Sequence, residues 1–484
     1  MPDPAACAPP PPPPDRERAD PAGPRHPMLI AAVVATAFLM EQLDSTIITT
    51  ALPAMARALH TSAVDMNLAV SAYVLTLAVF IPLSGWFADR FGTRRVFLGA
   101  LALFTAGSMA CGAAQSFGML VATRVVQGLG GAMMTPVGRL ILLRSFPRSQ
   151  LVRAMTYITL PAIIGPLLGP LVGGYLSTYL SWRWIFYVNV PFGLFGMALA
   201  ARQVSPLAAE PDAAFDLVGF ATFAAAVAAV QWLVESLGLA SPALLLGTGL
   251  LGCLLLLAFV RRSRGRARPA VDLGLLRERA FAIATLAGGV CRMAMNAPLY
   301  LLPLLLQIGL GMSPVRAGSL VFLSALGSPV IRLAIGPALK RWGFRALLAA
   351  SAGACSTILA SFATITHATP HWTIAALIVV FGAVRSTQYM SSNTLAYADV
   401  ASERLSRATS LGGLLQQLTV SLGVGGGAAI LRLLAPHATP GLEPLRLSFL
   451  VLAALPLLAI PFFLRLHPSD GATVSGHAGA PAAR

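Results

Sequence analysis

The sequence predicts an all-α, polytopic membrane protein, and three observations carry that reading: its apolar content, the length of its apolar runs, and the placement of its arginines. Of 484 residues, 56% are hydrophobic and 11% are charged, with a mean hydropathy of +0.76. A soluble domain is about one quarter charged, so a water-soluble core could not absorb this much apolar surface.

The apolar runs are long enough for an α-helix to cross the hydrocarbon of a bilayer, which takes about 20 residues. They fall near 28–50, 64–87, 96–115, 118–140, 152–176, 184–203, 216–236, 242–260, 280–307, 317–339, 346–366, 372–395, 408–432 and 446–465, which predicts fourteen spans.

The formal charge of +16 would suggest a nucleic-acid partner if it clustered on a polar domain. Instead the basic residues sit in short stretches between apolar runs, which argues for a lipid boundary. On one side lie Arg90, Arg94 and Arg95, then Arg144, Arg148 and Arg153, then the run from Arg261 to Arg279. Lys340, the only lysine, follows with Arg341, Arg345, Arg404 and Arg407. The other side has little beyond Arg57, Arg183, Arg316, Arg432 and Arg446. Short cytoplasmic loops retain Arg and Lys, so both termini are expected in the cytoplasm of a multi-pass protein of the cytoplasmic membrane. That arrangement requires an even number of spans.

Residues 1–27 include the proline run Pro9–Pro14 and cannot pack, which predicts a disordered cytoplasmic tail. The first apolar run starts at Met28, too late for a signal peptide. A second disordered cytoplasmic tail is expected over 467–484. Cys7, Cys111, Cys253, Cys291 and Cys355 are scattered without metal-ligand spacing, so disulfides, a metal site and a cofactor are not expected.

Gly85, Arg90, Gly92 and Arg94 recur at one offset as Gly336, Arg341, Gly343 and Arg345. Four positions in register predict a duplicated chain. The expected units are a six-helix bundle over 28–205, two inserted transmembrane helices over 206–262, a basic linker over 263–279 and a second six-helix bundle over 280–466. Carriers built from parallel repeats bind substrate between the halves near the midplane.

At the repeated loop a family resemblance emerges. Gly85-Trp86-Phe87-Ala88-Asp89-Arg90-Phe91-Gly92-Thr93-Arg94-Arg95 resembles the loop signature of the major facilitator superfamily. The glycines permit a tight turn and Asp89 can face a helix N-terminus, which suits Gly85, Asp89, Arg90, Gly92 and Arg94 to act as a conformational latch. Leu43-Asp44-Ser45-Thr46-Ile47-Ile48 with Ala51-Leu52-Pro53 resembles the first-span motif of the 14-span drug:proton antiporters, the EmrB/QacA type. This chain has Thr49 where that motif usually has asparagine. Arg124-Val125-Val126-Gln127-Gly128-Leu129-Gly130-Gly131 is similar to the fourth-span motif. The segment from Gly165 to Gly174 is similar to the fifth-span motif associated with antiport, with Gly165, Pro166, Gly169, Pro170, Gly173 and Gly174 as its gating positions. Trp182-Arg183-Trp184-Ile185-Phe186, Asn189-Val190-Pro191 and Phe215-Asp216 fit the same family. Arg292, Ser386, Thr387 and Asn393-Thr394-Leu395 resemble a subgroup of multidrug transporters. The resemblance covers about residues 28–466 and implies a major facilitator fold and proton-coupled export of hydrophobic or amphiphilic small molecules.

The residues support a coupling mechanism on their own terms. An ionisable group in a span is costly and ordinarily faces a cavity or a partner. Glu41 and Asp44 are three residues apart and share one face of the first span. At about 1.5 Å rise per residue, Asp44 and Arg124 reach the same depth on antiparallel spans. Asp44, Glu41 and Arg124 are therefore the expected proton-coupling residues: protonation of Asp44 loosens its hold on Arg124 and biases the access states. The alternative is a fixed structural ion pair. Arg292 and Arg385 fall near the midplane of the second half, which has no acidic residue mid-span. With Gln127, Asn296, Gln388 and Asn393 they are the expected substrate cavity, open to neutral or anionic amphiphiles.

Glycine and proline in 165–174 suit close packing or a gate. Gly128–Gly131 lies inside an apolar helix and is no nucleotide loop. An enzyme would need a catalytic cluster at the membrane boundary, and none is evident. A proton-linked transporter of an endogenous metabolite or organic anion, working inward or outward, stays open, as does a non-transporting sensor. The expected partners are the substrate, protons and the lipid bilayer, with any periplasmic accessory protein left open.

Overall fold

The computed structural model describes residues 27–145, 151–204, 216–264, 273–400, 404–435 and 441–475. Residues 1–26 of the predicted tail 1–27 and much of the basic linker lie outside the described residues, as do the side chains of Arg144 and Arg153, and Pro27 opens the first helix.

Every regular element among the described residues is helical. In the first half these are α1 (Pro27–Ala58), α2 (Asn67–Phe80), α3 (Leu83–Phe91), α4 (Thr93–Gly112), α5 (Phe117–Ser145), α6 (Leu151–Tyr179), α7 (Trp184–Tyr187) and α8 (Asn189–Gln203). The pair α9 (Leu217–Glu235) and α10 (Pro242–Arg264) follows. The second half holds α11 (Arg279–Ala282), α12 (Gly288–Asn296), α13 (Pro298–Leu304), α14 (Pro314–Phe362), α15 (His371–Ala398), α16 (Leu405–Leu434), α17 (Leu442–Phe463) and the single turn α18 (Ala472–Ser475). Among the described residues, eleven helices, counting α7–α8 and α11–α13 as continuous, are long and apolar enough to cross a membrane, and twelve if the bent pair α2–α3 is one span. These helices follow the predicted runs, and α6 and the first leg of α14 occupy two more.

The interruptions have local causes. Pro82 lacks the N–H that would continue the ladder, and α2 and α3 meet there at 59°. Gly92 (φ 85°) separates α3 from α4 and Gly343 (φ 68°) breaks α14, both at a positive φ that glycine adopts freely. The duplicated loop is thus one backbone device used twice. Gly85 and Gly336 differ from their expected turn role: both are helical, and a side chain there would meet nothing.

Helices α1, α2, α4, α5, α6 and α8 pack on one another, and α12, α14, α15, α16 and α17 do the same in the second half. The halves meet along α6 against α14 and α2 against α16, and α9 packs on α2 and α16. On α10, Leu246, Leu250 and Leu254 form an exposed stripe at four-residue spacing, a lipid-facing surface.

At the end away from the arginine-rich loops, one apolar cluster runs through both halves and includes Ile47, Leu52, Met295, Leu301, Phe362 and Phe449. Toward the arginine-rich end each half has its own cluster, around Phe97 and Phe104 in one and around Phe281 and Phe344 in the other. The halves are also hydrogen-bonded at the first end. Tyr300 donates to the Ala63 carbonyl (3.2 Å), Gln307 to the Thr50 carbonyl (2.9 Å) and the Val315 amide to Thr178 (3.2 Å).

The C-terminal tail departs from expectation over 467–475. His467 and Asp470 close a turn (2.8 Å), the Gly471 amide donates to Asp399 (3.0 Å), and α18 follows. Gly471 packs against the ring of Phe344, which gives this stretch an anchor that composition alone does not reveal.

Candidate functional site: a buried charge network between α1, α5 and α8

Three elements deliver polar side chains to one buried point in the first half. Asp44 on α1 and Arg124 on α5 form an ion pair of 2.6 Å, with both side chains fully buried. The other carboxylate oxygen of Asp44 accepts from Gln127 (2.8 Å) and from Asn189 on α8 (3.1 Å). Arg124 also donates to the Ala69 carbonyl of α2 (3.1 Å) and to Gln127 (2.8 Å), while its guanidinium lies 4.1 Å from the centre of the Tyr73 ring. Asn189 donates in turn to Ser108 on α4 (3.1 Å).

A carboxylate in apolar surroundings is tolerated only when its lone pairs are matched, and here three donors match them. One guanidinium nitrogen of Arg124, Nη2, has no hydrogen-bond partner although it is buried. The network is therefore balanced around Asp44 but incomplete around Arg124. Neutralising Asp44 would leave a cation held only by a carbonyl, an amide oxygen and an aromatic face.

Glu41 lies one turn away from Asp44 and is buried, with Thr135 of α5 donating to its carboxylate. Its electrostatic neighbours are Asp44 and Arg139, and Arg139 also reaches the field of Tyr397 on α15 in the opposite half.

Helix α6 holds α1 in place through its small residues. A side chain at Gly165 would lie 2.5 Å from Gln42 Cβ, one at Gly169 would lie 2.8 Å from Thr46 Cβ, and one at Gly173 would lie 2.6 Å from Thr50 Oγ1. The four-residue spacing makes a single stripe on which α1 rests. Gly174 and Pro170 face the other way: a side chain at Gly174 would lie 2.5 Å from the Pro314 carbonyl, and Gly318 of α14 abuts the backbone of Pro170. The glycine- and proline-rich segment of α6 thus sits between the helix bearing Asp44 and the opposite half.

In the second half, Arg292 on α12 is buried and donates to Asn393 on α15 (2.8 Å), with its Nε unpartnered. Tyr389 donates to Asn296 (2.7 Å) and its ring lies 5.8 Å from the Arg292 guanidinium. Arg385 is partly exposed and lies 5.6 Å from the Phe381 ring; among the described residues no hydrogen bond or ion pair engages it. Two expected cavity residues are placed differently. Gln127 belongs to the Asp44 network, because the i, i+3 spacing from Arg124 turns both toward α1. Gln388 is fully buried and bonded to Ser351 and Ser392, within the packing of the second half.

In the latch segment, Arg94 donates to the Ala201 carbonyl at the end of α8. Arg90 is exposed and Asp89 half-buried; among the described residues Asp89 has no hydrogen bond to a helix N-terminus.

Tyr73, Ser108 and the Ala69 carbonyl are parts of the site that sequence reasoning missed, and Asn189 stood out there only as part of a family motif. Asn189 carried a usable signal, a polar side chain inside an apolar run. A backbone carbonyl carries none.

A helical membrane protein with ionisable side chains buried inside both halves, among them the Asp44–Arg124 pair and Arg292, has the make-up of a membrane transporter. Comparison with known proteins gives the family. The sequence profile of the Major Facilitator Superfamily matches residues 34–424, and the chain belongs to that superfamily of membrane transporters. It is 37% identical over 395 residues to the "Putative multidrug resistance protein MdtD" of Klebsiella pneumoniae subsp. pneumoniae, covering 81% of this chain and 83% of that one. Its counterpart in Pectobacterium atrosepticum is 36% identical over 444 residues, covering 90% and 95%. Among solved structures, a D-xylose-proton symporter matches with a TM-score of 0.65 at 14% identity, covering 92% of this chain and 99% of the other. A peptide transporter in complex with sulfate matches with a TM-score of 0.67 at 15% identity, covering 93% and 95%.

Proposed function

We propose that this transporter exports hydrophobic or amphiphilic small molecules, drugs among them, across the cytoplasmic membrane in exchange for protons. Fourteen spans, two six-helix bundles with an inserted pair and both termini in the cytoplasm complete the reading. The observation that carries it is the fully buried Asp44–Arg124 pair at 2.6 Å, on a helix that rests against the α6 segment linking it to the opposite half. A proton taken up by Asp44 removes the charge that holds Arg124, and the strain passes along α1 and α6 to α14. With the arginine-rich loops in the cytoplasm, the shared apolar cluster seals the outer end and the conformation faces inward. The multidrug-resistance relatives support the substrate class. The experiment is uptake of a panel of amphiphilic dyes into inverted vesicles with an acidic interior: export by antiport requires gradient-dependent uptake, and its absence for every substrate that binds would contradict it.

A second reading, transport of an organic anion, is favoured by Arg292 and Arg385. They are cations of the second half with no carboxylate partner among the described residues, and an anionic substrate would supply the missing charge.

A further inference from the structure

At the end that closes the halves together, a further buried carboxylate, apart from Asp44 and Glu41, comes from the inserted pair. Glu235 is the last residue of α9 and only 9% exposed. Its Oε1 accepts from the Asn67 amide of α2 and from Gln231 (both 3.1 Å), and its Oε2 is 3.3 Å from the same Asn67 nitrogen. All these donors are neutral. The charged groups facing it from the elements packed on α9 are Arg432 of α16 and Asp65, just before α2, with the Tyr300 hydroxyl of α13 close by. Arg432 does not bond the carboxylate. It donates to the Glu235 backbone carbonyl (2.6 Å) and reaches Asp65 (3.4 Å), whose side chain is 41% exposed, so the cluster begins at water.

The decisive detail is Asn67. The residue is fully buried, its Nδ2 also donates to Ser71 (3.1 Å), and its Oδ1 has no partner. In either amide orientation one end of Asn67 is left without a partner, so the cost of that unsatisfied group does not choose between them. Rotating the amide by half a turn would put that oxygen where the nitrogen now stands, against Glu235 and Ser71. It could then accept from a protonated Glu235 and from the Ser71 hydroxyl, which can donate as well as accept. The site satisfies the ionised carboxylate in one amide orientation and the neutral acid in the other.

We propose that Glu235 is a second proton-binding site of this transporter, with Asn67 as the positioning residue that adapts to either protonation state. The proton arrives by way of the Asp65 side, and the site lies where α2, α9 and α16 must separate for the outer end to open. The inserted pair then contributes a proton carrier rather than mere bulk. This rests on the proton-coupled reading for its role in transport, but not for proton binding itself.

The test is pH-difference infrared spectroscopy of the full chain in lipid, reading the stretching band of protonated carboxyls, in wild type, Glu235→Gln, Glu235→Asp and Asp44→Asn. Glu235→Gln should remove one band that Asp44→Asn retains, and Glu235→Asp should keep that band at a displaced pH. Identical difference spectra for wild type and Glu235→Gln would overturn the proposal. In vesicles, loss of one coupled proton lowers substrate accumulation about tenfold per unit of pH gradient, so Glu235→Gln should accumulate less by that factor. Unchanged accumulation in Glu235→Gln overturns its role in coupling, whereas unchanged accumulation in Asp44→Asn alone would sink the Asp44 assignment and leave the Glu235 band standing.

Discussion

Asn189 on α8 donates to the oxygen of Asp44 that does not face Arg124, at 3.1 Å, and so completes a cage of three donors around one carboxylate. The cage makes the first half a polar lock built from α1, α5 and α8.

Removing this donor tests the cage. Asn189→Ala leaves one carboxylate oxygen with Gln127 alone, and a hydrogen bond to a buried charge contributes about 1.5–3 kcal/mol. Thermal unfolding in detergent should show a loss of that order, with gradient-driven transport reduced and total protein unchanged.

The α6 stripe sets a steric prediction. Gly173→Ala would push a methyl to 2.6 Å from Thr50 Oγ1 and against the Ile47 backbone, which cannot retreat. Overpacking of this kind costs about 1–3 kcal/mol. Transport should fall steeply, whereas Gly336→Ala, which meets nothing, should behave as wild type in the same uptake assay.

The two positive-φ glycines should be costly to replace. Gly92→Ala and Gly343→Ala each force a side chain into an extended positive-φ conformation that only glycine adopts freely, at about 1–3 kcal/mol. Each variant should lower the midpoint of thermal unfolding, and the two losses should add, since the loops lie in different halves.

The arginines of the second half address substrate charge. If anionic substrates bind there, the double variant Arg292→Ala, Arg385→Ala should weaken equilibrium binding of an anionic amphiphile by at least about tenfold, the order expected for one charged hydrogen bond. A neutral analogue should bind both proteins alike. Equal loss for both would indicate a packing role.

Much of this architecture was legible in the sequence because the bilayer imposes a length on every span, and the runs from Met28 to the α17 helix follow that length closely. The repeat was legible through Gly92 and Gly343, whose backbone needs glycine. The Asp44–Arg124 pairing was legible because helical rise fixes depth, so two charges on antiparallel spans could be matched by counting. Depth does not give rotation, however. Depth alone puts Gln127 and Gln388 in the cavity, whereas the face of Gln127 points to Asp44 and Gln388 packs on Ser351. The Glu235 cluster was invisible because it joins positions 65, 67, 235 and 432, which only the packing of α9 on α2 and α16 brings together.

The central claim is that the proton moves the protein through Asp44. The direct measurement compares wild type and Asp44→Asn in the same inverted vesicles, reading substrate accumulation against an imposed acid-inside gradient and, separately, exchange of labelled for unlabelled substrate with no gradient. The account predicts that Asp44→Asn keeps exchange but accumulates nothing above the no-gradient level. Accumulation by Asp44→Asn equal to wild type would contradict it.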